Sequence, residues 1–261
     1  MPAGLSEIGA FVRRHDPDRF FCALFAPPEQ REALFALIAL HHELGRVRAA
    51  ASHPLAAAIR LQWWRDAIAA STPPRHEVAT PLHAAIRAGL LDREALLAMV
   101  DAREVELAEE GIATRTEFTA YLRRTHGALA VAAGRLLGAA AQELAALEAI
   151  GTLQGLAGLL RAAPLWAARG RCLLPRDALA EAGLDPQAAL AEPERLTPVI
   201  RALAREAAPP LPRPWPPRLL AAALPAVFAR RDVRRLAAGR AAQRGTADRL
   251  AVLWAALRRC A

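Results

Sequence analysis

Residues 142–160 read QELAALEAIGTLQGLAGLL. Glu143 and Glu148 are the only charges in the stretch, and the apolar residues fall on every side of a helical wheel. The pattern predicts a helix buried around most of its circumference, so this segment sits inside an assembly of other helices. The segments on either side keep a helical period. Residues 29–49 form a long helix with Ala33, Leu34, Leu37, Ile38, Leu40 and Leu44 on one side. Short helices are expected at 5–14 and from Asp16-Pro17, and Ser52-His53-Pro54 caps another that runs to about Ala70. Further helices are expected at 82–88, closed by Gly89, from Asp92 to about Glu110, closed by Gly111, and from Thr116 to Gly138.

Beyond the central segment, Leu173-Leu174-Pro175 reads as an extended turn, followed by helices at 175–182 and 192–206. Six of the nine residues from Pro209 to Pro217 are proline, which makes this a stiff connector. Closing helices are expected at 219–230 and 231–258. No period-two strand and no internal repeat is visible. The fold class expected is all-α, a helical bundle formed as one domain over residues 1–261.

Composition agrees. Of 261 residues 54% are hydrophobic but only 5% aromatic, so Ala and Leu must do most of the packing, and both favour helix. All 34 basic residues are Arg, and the net charge is +8. Such an excess suits an anionic membrane surface, a diphosphate or nucleic acid. The arginines look scattered along the chain and no nucleic-acid-binding motif is present, so nucleic acid is not an expected partner. Cys22, Cys172 and Cys260 are odd in number and widely spaced, which fits neither a disulfide framework nor a zinc site. No signal peptide is read at the N-terminus. The longest uncharged stretches, 149–160 and 219–229, are shorter than the roughly 20 residues that span a bilayer. A soluble cytoplasmic protein, or one peripheral at the inner membrane, is expected.

Several motifs carry a packing reading beside a chemical one. His42-Glu43-Leu44-Gly45-Arg46 opens like a zinc-protease helix, but Arg46 stands where the second His must be, so no metal is expected. Gly134 with Gly138, and Gly151 with Gly155, have the spacing that lets helices approach closely. Asp101, Glu104, Glu106, Glu109 and Glu110 read as a solvated acidic face on one helix. Trp63-Trp64 offers one ring to the core and one to a groove. Arg161, at the end of the buried helix, requires a carboxylate, a phosphate or helix carbonyls as a partner.

Taken together, several segments resemble the squalene/phytoene synthase superfamily. They are Arg31 to Leu37, Leu61-Gln62-Trp63-Trp64-Arg65, Asp101 to Leu107 with Tyr121 and Gly127, and Gln154 to Arg161 followed by Arg169-Gly170-Arg171 and Leu174-Pro175. The resemblance covers roughly Phe20 to Gly183. It implies a prenyl-synthase-type helical bundle. It also implies two Asp-x-x-x-Asp motifs on facing helices, which in active members hold Mg²⁺ against the substrate diphosphate. Here the first motif falls on Gly45-Arg46-Val47-Arg48-Ala49 and the second on Ala162-Ala163-Pro164-Leu165-Trp166, and neither holds a carboxylate. Pro164 is expected to kink or end its helix.

Within the superfamily the likeness is strongest to a branch that also lacks the aspartate pairs and comprises a mitochondrial complex I assembly factor and its bacterial relatives. This implies a non-catalytic protein of respiratory complex I assembly, with no Mg²⁺ cofactor and a respiratory complex subunit as partner. Two alternatives remain open: a prenyl transferase in which arginines replace the metal, and an isoprenoid- or lipid-binding protein at the membrane surface. Arg46, Arg48, Arg65 and Arg161 are the candidates for an anionic head group. His42, Trp64 and Trp166 are the candidate cavity-lining residues.

Overall fold

The computed structural model describes residues 4–51, 53–108 and 110–261. Helices form where local chemistry starts and stops them. Asp16 ends α1 (Glu7–His15) and caps α2 (Pro17–Ala23), accepting from the Arg19 N–H at 3.0 Å. Such a cap contributes about 1 kcal/mol. The helix α3 (Pro28–Arg46) starts on Pro28 at its first turn, where a missing N–H does no harm. His53 caps α4 (Pro54–Ala69), its Nδ1 accepting from the Leu55 N–H; Ser52 of the expected cap lies outside the described residues. Gly89, at φ +69°, closes α5 (Ala79–Arg87), and Asp92 caps α6 (Arg93–Asp101).

The expected helix over 116–138 is divided. It runs as α7 (Arg115–Leu122), a single π-turn at Arg123–Gly127, and α8 (Ala128–Leu136). The central helix, α9, spans Ala141–Ala167, and no residue from Ile150 to Leu160 is exposed. It packs against α8, the π-turn and α14 (Pro225–Ala237). By length and composition α9 could cross a membrane, but in this fold it is the spine of the bundle. Around it lie α10 (Arg176–Glu181), α11 (Pro186–Ala191), α12 (Thr197–Glu206), α13 (Leu220–Ala223) and α15 (Thr246–Leu257).

The core has two large clusters. One is built on α3, with Phe35, Leu37 and Leu40 fully buried, and takes Leu147 and Ile150 from α9. The other takes Leu153, Ala157 and Leu160 from the same helix and packs them on α10, α12 and α14. Among the described residues there is no strand, only an isolated bridge between Pro214 and Cys260.

Other boundaries also differ from the sequence reading. The helix from Asp92 ends at Asp101, not near Glu110. The closing helix 231–258 is broken after Ala237, because Gly239 takes φ +70° and residues 240–245 loop back. The segment 186–191, unassigned in the sequence, is helical, with Asp185 as its cap. Pro164 does not end α9. Its missing N–H leaves the Leu160 carbonyl without a helical partner, yet the helix continues past it, with the Ala168 N–H donating to the Pro164 carbonyl at 3.0 Å and with Ala163 and Ala167 buried.

Candidate functional site

Gly151 and Gly155 act as the sequence suggests. A Cβ at Gly151 would stand 2.4 Å from the carbonyl oxygen of His126, and one at Gly155 would stand 2.6 Å from the His126 ring. The π-turn is thereby pressed onto α9, and His126 is driven into the centre of the bundle. Gly138 has another role, because at φ +76° it closes α8.

His126 is one link in a buried polar chain. Arg19, ion-paired with Asp16, lies 3.5 Å from His126 Nδ1. The His126 ring packs edge-on against His41 at 4.5 Å, and Arg103 Nη2 reaches His41 Nε2 at 3.3 Å. Arg103 Nη1 donates to Glu106 at 2.9 Å and to Tyr121 at 3.0 Å; Tyr121 donates to Glu106 at 2.8 Å, and Arg171 donates to Glu106 at 3.1 Å. The Arg171 guanidinium then lies over the Trp166 ring, 4.9 Å from its centroid. At the other end, a Cβ on Gly45 would meet the Arg103 guanidinium at 3.8 Å. Gly45 opens the first motif window and Trp166 ends the second. The space between them is filled by an arginine–carboxylate–arginine bridge.

This arrangement resolves the acidic run. Glu106 is buried between Arg103 and Arg171, while Asp101 and Glu104 both bind Arg65. These residues therefore do not form one solvated face, because the helix ends at Asp101 and the short 3₁₀ turn at Glu104–Leu107 turns Glu106 inward. Glu109 lies outside the described residues.

A cavity of about 410 Å³ opens beside the chain. Its walls carry Asp16, Asp18 and Asp232 against Arg19, Arg161 and Arg244. Arg244 bridges Asp18 and Asp232, and Arg161 reaches Asp232 at 3.3 Å. Burial raises the Asp232 carboxyl above its usual range, and hydrogen bonding and attraction from Arg244 only partly offset that. Behind Arg19 and His126 is an apolar recess of about 30 Å³, between Leu34, Ile38 and Leu129. It has room for a water or two and not for a prenyl chain.

The seven predicted site residues do not converge. Arg46 and Trp64 share a separate groove of about 270 Å³ with Trp63 and His76. Arg48, placed just beyond the end of α3, turns back to the Ala51 carbonyl and lines a smaller cleft with Arg171. Arg65 is taken up by Asp101 and Glu104. Trp166 lies beneath Arg171. His42 is packed on Phe11 and His15, at 5.8 and 4.8 Å, and its Nε2 is buried without a partner. Arg161 alone of the seven faces the central cavity. The sequence reading missed Arg19, His126, Asp232 and Arg244. Their signal was weak, since Asp18 and Arg244 are 226 residues apart.

Burial, followed by neighbouring positive charge, lowers the pKa values of three histidines. His42 falls to about 4 through burial, His15 and Arg46; His41 falls through burial and His126, and His126 through burial and Arg103. Each stays neutral in the folded chain while the unfolded chain binds a proton below about 6.5. Stability is therefore lost as pH falls from about 6.5 toward 4. Thermal midpoints recorded from pH 8 down to 4.5 should hold steady and then drop below about pH 6.5, and His42→Phe should flatten part of that drop.

A family model described as squalene/phytoene synthase matches residues 12–254. The chain belongs to the squalene/phytoene synthase family. In fold it is similar to a dehydrosqualene synthase crystallised with ligand, at TM-score 0.69 and 12% identity, covering 96% of this chain and 94% of that one. It is also similar to the squalene synthase HpnC from Alicyclobacillus acidocaldarius, at TM-score 0.64 and 18% identity, covering 88% and 92%. In sequence it is similar to complex I assembly factor 6 of Bos taurus and of Homo sapiens, each 31% identical over 172 residues, covering 64% of this chain and 51% of the relative. The chain thus matches about half the length of these curated relatives.

Catalysis in this family implies Mg²⁺ held by carboxylates, because that ion demands several hard oxygen ligands. The residues here do not fit it. Glu106 is the carboxylate between the two windows, and arginines and Tyr121 engage both its oxygens. Among the described residues no group of three His, Cys, Asp or Glu side chains could hold a metal ion.

Proposed function

We propose that this chain is a non-catalytic member of the squalene/phytoene synthase family that acts in the assembly of respiratory complex I by binding a subunit of that complex. The observation that carries the reading is the Arg103–Glu106–Arg171 bridge between the two motif windows. Two guanidinium groups lie between the windows, and each pairs with the one carboxylate of Glu106. The similarity to complex I assembly factor 6 supplies the process. The apolar recess behind Arg19 and His126 is too small for a prenyl chain.

Two measurements test this. Incubation with farnesyl diphosphate and Mg²⁺ should give no condensation product, and calorimetry should detect no Mg²⁺ uptake. Removal of the protein from its host should lower the amount of assembled complex I on native gels. Formation of a squalene-type product, or an unchanged level of complex I, would overturn the proposal.

A further inference from the structure

The positive charge of this protein is not scattered. Residues 207–261 carry eleven arginines and two acidic residues, a net +9, against +8 for the whole chain; residues 1–206 therefore carry a net −1. The two acids, Asp232 and Asp248, are buried and already bound by arginines. Arg213, Arg234, Arg240, Arg249, Arg258 and Arg259 are exposed, and among the described residues no carboxylate pairs with them.

The same region carries an unpartnered apolar face. Helix α15 buries Val252, Ala255 and Ala256 against the bundle. Its opposite side presents Leu250, Leu253, Trp254 and Leu257, with Trp254 61% and Leu257 79% exposed. At 100° per residue these four occupy an arc of about 100°. Arg249 and Arg258 fall on its two flanks, one on each side. The Arg258 guanidinium lies over the Trp254 ring at 5.6 Å. Next to the end of α15, residues 213–215 pair with 259–261 and hold the Pro-rich connector in place, and Leu211 on that connector is 84% exposed.

We infer that this face of α15 docks on an anionic lipid bilayer. A leucine and tryptophan ridge bordered by arginines matches the two layers of such a surface, with apolar side chains entering the acyl boundary and guanidinium groups binding lipid phosphates. Each arginine near the surface strengthens binding about fivefold. A nucleic acid would match the charge but leave the apolar ridge in water. The inference stands apart from the assembly reading, because it needs neither a lost metal site nor a respiratory partner.

Flotation of the full chain with phosphatidylcholine vesicles, with and without phosphatidylglycerol, tests it. Binding to the anionic vesicles should be at least about tenfold tighter than to the neutral ones. Leu253→Glu with Leu257→Glu should weaken it at least about tenfold, with circular dichroism unchanged. The control pair is Leu55→Glu with Ile59→Glu, which makes the same charge change at exposed apolar positions on α4 and should leave binding within about twofold. Equal losses in both pairs would overturn the inference, as would no binding to anionic vesicles. A concentration-dependent dimer that only the α15 pair abolishes, without vesicle binding, would also overturn it and give the face to a second copy of the chain.

Discussion

Glu106→Ala should destabilise the fold by about 3–5 kcal/mol, the range for removing one partner of a buried ion pair. The side chain is almost wholly buried and accepts from Arg103, Tyr121 and Arg171. Removing it leaves two guanidinium groups with little access to water, and the Arg103 Nε and Arg171 Nη1 atoms already lack partners. Glu106→Gln keeps an acceptor oxygen and should recover part of the loss. Glu104→Ala, two residues earlier, removes only an exposed contact to Arg65 and should fall within about 1 kcal/mol of the parent. Urea unfolding midpoints would rank the three. A Glu106→Ala value no larger than that of Glu104→Ala would mean that water reaches the arginines and that the bridge does not seal the space between the motif windows.

Gly151→Ala should cost about 3 kcal/mol, at the top of the range for overpacking. Two of the three atoms that the new methyl would meet within 3.0 Å, the His126 carbonyl oxygen and the Gly127 Cα, belong to the main chain and cannot rotate away. Relief would require the π-turn to move off α9, taking His126 and its contacts to Arg19 and His41 with it. Gly158→Ala on the same helix should have the opposite sign. Nothing lies within 4 Å of its Cβ position, so it gains about 0.5–1 kcal/mol from helix propensity alone. The two variants together separate close packing from propensity. If both stabilise, α8 and α9 are not held in contact at Gly151.

What could be read from the sequence followed from how local the causes were. Asp16, Asp92 and Gly89 mark helix ends by chemistry within a few residues, and those ends were predicted. Gly239 and Asp185-Pro186 carried equally local signals for the break before α15 and for α11, but the helical period around them concealed both. Pro164 misled in the other direction, because packing of Ala163 and Ala167 outweighed a backbone preference. The absence of aspartates from both motif windows was plain in the sequence. What fills their place was not, because the Arg103–Glu106 pair, Tyr121 and Arg171 come from three separate segments and meet only in the fold. The concentration of charge beyond Ala207, by contrast, could be counted in the sequence; only the burial of its two acids needed the fold.

The position of α9 between the two core clusters makes it a shared wall. Its first turns complete the cluster around α3, and its later turns complete the one with α12 and α14. Each cluster takes part of its closing surface from that helix, so displacing the whole helix uncovers both. The central helix is thus the keystone of this chain's architecture, a single element on which both halves of the core depend.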